Sequence, residues 1–259
     1  DVKLGAVAGF NGEAMRSVEA KMSRRNGAIK AFTLNGKVGR DTPVAADLRG
    51  GRAQGSREVI YLQTNDAGAF LRFTDTYTKA IGGQMVVAME PPTSEPTARD
   101  GLINVRDFTV KGETQLERAA AGGPNGAQGG ISFSALRAEF TRQNGVLTVR
   151  DGVVKGPIIG ATIEGSIDYP GNQVRMSGTF VPMYGLNNIF GQLPVIGLFL
   201  GGGSNEGLIG VTYEVVGTPS APVMRVNPIS AMAPGVLRKI FEFNTGKQNN
   251  PIEFPPSNN

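Results

Sequence analysis

The chain has 259 residues, 40% of them hydrophobic and 19% charged, with a net charge of +4. This composition excludes a disordered chain, and the length suffices for one large domain, or two smaller ones, with a core that needs neither disulfide nor metal. There is no Cys, His or Trp, which removes thiol nucleophiles, Ser-His-Asp triads and most zinc, copper and haem sites, while carboxylate or lysine chemistry remains open. The 37 glycines and 16 prolines suit many turns and short strands better than long helices. The mild basicity is that of a solvated surface or of one that meets anionic lipid head groups. Nucleic acid is not expected as a partner, because aromatic residues are not interleaved with basic runs.

The chain opens on Asp1 and runs at once into a strand-like segment, VKLGAVAGF. It is therefore expected to be a fragment of a longer protein whose targeting and membrane signals lie upstream. No window reaches the roughly 18 uninterrupted apolar residues of a membrane-spanning helix. Met15–Met22 alternates, with Val18, Ala20 and Met22 on one face and Ser17, Glu19 and Lys21 on the other. Asn26-Gly27 suits the positive φ angles of a primed hairpin turn, and strands are expected over 28–37, 44–48 and 58–64. Asn65 or Asp66 is placed to cap a helix, and Ala69, Phe70, Phe73, Tyr77 and Ile81 recur near helical spacing. The spacing predicts one amphipathic helix over 66–81, stopped by Gly82-Gly83, and then a strand over 84–90. A strand of ambiguous pattern over 101–112 and a short helix over about 113–121 lead into GGPNGAQGG. That run lacks the Gly-Lys-Ser/Thr ending of a phosphate loop and reads as a flexible loop, with 122–130 a candidate subdivision point.

Residues 131–181 alternate most cleanly. Strands are expected over 133–140, 146–150, 161–169 and 174–181, separated by Asn144-Gly145, Asp151-Gly152 and Pro170-Gly171-Asn172. Ala161, Ile163, Gly165, Ile167 and Tyr169 share one face; Val174, Met176, Gly178 and Phe180 form the apolar face of the next strand. Connections this short imply an antiparallel meander with one wet and one apolar face. The sheet must then close as a barrel, stack as a sandwich, or curl into a trough.

Leu186–Leu200 is dense in apolar residues, with Leu186, Ile189, Phe190 and Leu193 on one helical face before Pro194. VIGLFL is too short to cross a bilayer; it either packs under the sheet or dips into a membrane surface. A strand over 207–216 puts Ile209, Val211, Tyr213 and Val215 on one face, and a short strand follows over 223–226. Asn227 and Pro228 start a final helix with an apolar stripe of Ile229, Met232, Val236, Leu237, Ile240 and Phe241. Residues 244–259 are polar and expected to be disordered.

The run LPVIGLFLGGGSNEGLIGVTYEVVGTPSAPVMRVNPISAMAPGVLRKIFEF resembles the C-terminal region of the AsmA-like family of bacterial envelope proteins. Its anchors are Pro194, Gly197, Gly207-Leu208, Val211-Thr212-Tyr213, Val215, Gly217, Pro222, Val226-Asn227-Pro228, Ser230, Ala233-Pro234-Gly235 and Leu237-Arg238-Lys239. Asn65–Gly83 resembles the D-A-G…GG unit of such proteins, and residues 131–181 match only as generic strands.

The resemblance implies a mainly β fold: a long curled antiparallel sheet forming an open groove over 1–243, with a few short amphipathic helices including a C-terminal one. It implies a periplasmic protein anchored in the inner membrane by a helix outside this chain, moving phospholipids between the two membranes. On that reading Ile163, Ile167, Tyr169, Val174, Met176, Phe180, Ile209, Val211, Tyr213 and Val215 line the groove and meet phospholipid acyl chains. Leu186, Ile189, Phe190, Val195, Ile196, Leu198, Phe199, Leu200, Val236, Leu237, Ile240 and Phe241 face the inner leaflet of the outer membrane or an outer-membrane protein. No cofactor, metal or catalytic residue is expected. The alternative is a structural or docking envelope module with a closed β core that assists outer-membrane assembly. An enzyme is disfavoured, because Asp and Glu are scattered over polar strand faces.

Overall fold

A computed structural model describes residues 1–50, 57–93, 96–114, 116–117, 129–182 and 211–227. The described chain is one antiparallel sheet of thirteen strands paired strictly in sequence order. The strands are β1 (Val2–Ala8), β2 (Ala14–Arg25), β3 (Ala28–Val38), β4 (Thr42–Arg49), β5 (Val59–Thr64), β6 (Ala80–Met89) and β7 (Arg99–Val110). They continue as β8 (Ile131–Gln143), β9 (Val146–Lys155), β10 (Ile159–Asp168), β11 (Gln173–Pro182), β12 (Val211–Thr218) and β13 (Ala221–Asn227). Among the described strands the sheet does not close, and β1 and β13 are its two edges. The meander follows from its turns. Asn26 and Gly27 have φ of 51° and 78°, and Asn144 and Gly145 have 51° and 80°, the left-handed geometry that reverses a strand within two residues.

One helix, α1 (Ala67–Phe73), bridges β5 and β6. Asp66 caps it, its Oδ1 accepting from Ala69 N at 3.0 Å. The helix expected over 66–81 stops eight residues early. Thr74 turns its hydroxyl back on to Phe70 O at 3.1 Å, and Asp75 takes a φ of 53°, which ends the helical hydrogen-bond ladder. Ile81 belongs to β6, where it is 50% exposed. Gly82 and Gly83 lie inside β6 with φ of 64° and 94° and do not end a helix. Of the helix expected over 113–121 only its start is described: Glu117 N donates to Glu113 O at 2.8 Å.

The two larger core clusters lie on one face of the sheet. A cluster including Met85, Phe108, Ile131, Phe133, Ile159 and Phe180 is flanked by Phe70 and Leu71 of α1 and by Leu116. A second cluster, Met15, Val18, Val38, Val44 and Ala69, fills the β2–β4 end. The same face is concave, because Tyr77, just before β6, and Tyr213 on β12 pack against one and the same cluster. In a flat sheet, six strand spacings of about 4.8 Å would hold these two apart by about 29 Å. Strand twist and local bulges supply the curl. In β9 the extra residue at Arg150-Asp151 lets Glu139 pair with Asp151 and Phe140 with Val149.

The segment Leu186–Leu200, Ile209, the final helix with Val236, Leu237, Ile240 and Phe241, the run 122–128 and the tail 244–259 lie outside the described residues.

Candidate functional site

Cross-strand pairing turns the alternation of single strands into continuous rows. One row on the concave face runs Val2–Ala20–Leu34–Ala46–Leu62–Val87–Ile103–Ala138–Gly152–Ile163–Gly178–Tyr213–Val226 and crosses all thirteen strands, the register of the flanking Ala161–Phe180 and Glu164–Ser177 pairs setting Ile163 opposite Gly178. A parallel row two residues along runs Val44–Thr64–Met85–Val105–Leu136–Val154–Ala161–Phe180–Val211. On the other side lies Leu48–Ile60–Met89–Gly101–Phe140–Val149–Gly165–Met176–Val215–Met224. Thr64 and the Tyr213 hydroxyl are the only polar side-chain groups in the three rows. With about 4.8 Å between strands and about 7 Å between rows, the band is about 58 Å long and about 14 Å wide between its outer rows.

The expected lining residues that are described, Tyr169 apart, fall on this face. Val174, Met176 and Phe180 are buried. Ile163, Ile167, Val211, Tyr213 and Val215 are half-buried, and Ile167 pairs with Val174 in a row beside the band. Tyr169 lies just past β10 in the turn, its N–H donating to Gly145 O at 3.3 Å. The band is packed in its middle and open at the β1 end, where Val2, Leu4 and Met22 are 49%, 46% and 54% exposed.

Glycines keep the band smooth. A Cβ on Gly101 would collide with the Phe140 ring, one on Gly152 with Ile163, and one on Gly178 with the Tyr213 ring and the Thr162 carbonyl. Large side chains therefore lie flat across glycines on the neighbouring strand instead of standing up into the trough. At Gly178 this has a further consequence. The Tyr213 hydroxyl reaches over the glycine and donates to Thr162 O at 2.7 Å, while Thr179 N donates to the Thr162 hydroxyl at 3.1 Å. Side chains thus complete the hydrogen bonding between β10 and β11 at this point.

Burial pushes the Tyr213 phenol well above its ordinary pKa. Tyr77 is raised too, first by burial and then by the Glu113 carboxylate, whose Oε1 its hydroxyl approaches at 3.3 Å. A tyrosine whose folded pKa lies above its unfolded value of about 10 adds stability that is whole below that pH and is lost as pH rises beyond it. Unfolding free energy is therefore expected to hold level to about pH 10 and fall above it. Urea titrations across pH 8–11 check this; in Tyr213→Phe the decline should shrink, and at neutral pH the variant should lose about 1 kcal/mol because the part-buried Thr162 carbonyl loses its donor. A decline of the same size in Tyr213→Phe would refute the assignment.

The other face is polar over most of its extent. Exposed Glu164, Arg175, Ser177, Glu214 and Arg225 cover β10–β13, and Lys3–Glu19 at 2.9 Å and Arg225–Glu214 at 3.2 Å are cross-strand ion pairs. One apolar island, Val59, Tyr61, Ala88 and Leu102, is buried on this side, with the Arg49 guanidinium 3.7 Å from the Tyr61 ring centroid. A cleft of about 330 Å³ beside the β9 bulge is lined by Arg150, Asp151, Glu164 and several threonines. Gly152, Ile163, Gly178 and Tyr213 of the band's central row line it as well. Among the described residues no group of acidic side chains is placed to hold a metal ion.

Comparison of the chain with protein-family models, with characterised proteins and with solved structures returns no match. No helix among the described residues is long and apolar enough to cross a membrane. The site is therefore defined by its own geometry: a curled sheet with a continuous apolar band on its concave face, covered by α1 near Val44 and Met85, and a largely polar convex face.

The sequence reading confined the lining to β10–β12, whereas the band runs from β1 to β13. Leu62 and Val87 were missed because their strands are apolar on both faces, Val59, Tyr61, Val86 and Ala88 lying opposite them. The cross-strand glycine–aromatic pairs leave no signal within any single strand. A search for glycines spaced to face a large residue on the next strand would have found Gly101–Phe140 and Gly178–Tyr213.

Proposed function

We propose that this chain is the C-terminal part of an AsmA-like, periplasm-spanning protein that moves phospholipids between inner and outer membranes along its concave face. The observation that carries the reading is the apolar band, continuous over thirteen strands in a sheet that does not close. An acyl chain leaving a bilayer exposes methylene groups at about 0.8 kcal/mol each. A band of Leu, Ile, Val, Met and Phe offsets that cost at every step while the head group stays in water at the rim. Conduction needs no nucleophile, nucleotide or metal. On this reading Leu186–Leu200 and Val236–Phe241 meet the inner leaflet of the outer membrane or a protein in it, and the parent protein is anchored in the inner membrane.

A second reading draws on the burial of Val174, Met176 and Phe180: a packed envelope module that assists outer-membrane assembly without conducting lipid. Native mass spectrometry and lipid extraction of the purified protein separate the two. Co-purified phospholipid, displaceable by detergent, is the expected result. Protein free of lipid and detergent would sink the conduction reading.

A further inference from the structure

Beside the third row of the band, one strand pair departs from its apolar pattern. Arg99 lies two residues before Gly101 on β7, and Arg142 lies two residues after Phe140 on β8. Gly101 and Phe140 are paired within the band, and Arg99 and Arg142 are paired directly with each other. By strand alternation both arginines therefore lie on the concave face at its margin. Across β8 the row is apolar again: Arg142 pairs with Leu147, Leu147 with Ile167, and Ile167 with Val174.

Like charges placed directly opposite in a sheet destabilise it, and nothing in the described structure relieves this pair. Neither arginine has a hydrogen bond or ion pair with a described residue. The nearby acids are engaged on the other face or at the strand end. Asp100 accepts from Arg150 at 2.8 Å and from Thr141 at 2.9 Å, and Glu90 is paired with Arg57. Arg99 is half-buried, and its guanidinium pKa is lowered, first by burial and then by the charge of Arg142. Two guanidinium groups without an acid among the described residues, one of them partly out of water, are a receptor for an anion. Their planar donor forks match the oxygens of a phosphate.

We propose that Arg99 and Arg142 hold the phosphate of an amphiphile whose acyl chains lie on the adjoining band at Gly101, Phe140 and Val149. This inference rests on the lipid-carrying reading of the band and adds to it a fixed head-group station part-way along the trough. Phosphate would relieve the like-charge contact, and the acyl chains would start on the nearest apolar row, about 7 Å away along the strands.

The test uses isothermal titration calorimetry of the whole chain with three probes: dihexanoyl phosphatidic acid, dihexanoylglycerol and inorganic phosphate. The wild type is expected to bind the phosphatidic acid at least about tenfold more tightly than the uncharged glyceride, as charge-assisted hydrogen bonds allow. In Arg99→Gln/Arg142→Gln that preference should vanish while glyceride binding is unchanged. The double variant should melt at the wild-type temperature or higher, since it removes a repulsion; a lower melting temperature would mark the arginines as structural and overturn the proposal. A preference surviving in the double variant would also overturn it, as would inorganic phosphate binding as tightly as the phosphatidic acid. If the wild type binds both amphiphiles equally, the head-group station falls and the apolar band stands. If it binds neither amphiphile, the band reading falls and this inference falls with it.

Discussion

Ile163→Asp is expected to empty the trough of lipid while the sheet remains folded. Ile163 stands in the central row between Gly152 and Gly178, half-buried and lying over Gly152. Its Cβ faces the path, and no other side chain of that row offers a hydrogen-bond partner for a carboxylate until Tyr213, whose hydroxyl already donates to Thr162. A charge there forces each passing acyl chain either to leave the band or to strip water from a carboxylate, a cost of several kcal/mol. Phospholipid recovered with the purified variant should fall at least about tenfold, and transport in cells should fall with it. The folded state should lose about 1–3 kcal/mol. Ile163→Ala is the control: it removes packing atoms at a comparable cost, about 2 kcal/mol, but leaves the band apolar and should keep its lipid. Stable Ile163→Asp protein with unchanged lipid would place the path elsewhere.

The largest stability effect is expected at Gly178. Any Cβ there meets the Thr162 carbonyl, which is backbone, and the Tyr213 ring with its hydroxyl 2.7 Å away. Neither can move freely, because the Tyr213 hydroxyl is bonded to that same carbonyl and Phe180, 1% exposed, stacks obliquely on Tyr213 with ring centroids 6.1 Å apart. Gly178→Ala should therefore destabilise by about 3 kcal/mol, the upper range for overpacking. In β1 the opposite holds. Gly5 has no atom within 4 Å of a built Cβ, so Gly5→Ala should be neutral or stabilise by about 0.5 kcal/mol through the unfolded chain. Urea midpoints for the two variants check the pair; equal effects would mean that the Gly178–Tyr213 arrangement does not constrain the sheet.

The two arginines and the central row also show how far a linear reading reaches. In β10 and β11 the alternation is unbroken, and the faces assigned from residue types alone coincide with those set by the Ile167–Val174 and Ala161–Phe180 pairs. In β2 and β7 the alternation slips. Ser17 and Asp107 adopt φ of 50° and 51°, so Met15 and Val18, and likewise Val105 and Phe108, are buried at a spacing of three. A period of two cannot register that slip, which is why residues 101–112 gave an ambiguous pattern. The helix over 66–81 was over-extended for a related reason. Tyr77 continues a helical spacing by side-chain type, but Asp75 turns the backbone out of it. The functional reading followed the strong alternation and so stopped at β10–β12. Arg99 and Arg142 carry no local signal, because only pairing of β7 with β8 brings them together.

What the residues determined by themselves is the antiparallel meander: Asn-Gly turns and two-residue alternation are local, and each acts within one hairpin. Only the tertiary structure decided that the sheet stays open, curls with its apolar face inward, and joins thirteen separate strand faces into one band. Curvature accumulates from twist, bulges and side chains lying over glycines on neighbouring strands, and each of these depends on register between strands. The chain thus writes its strands singly, while the trough they build is a property of their pairing.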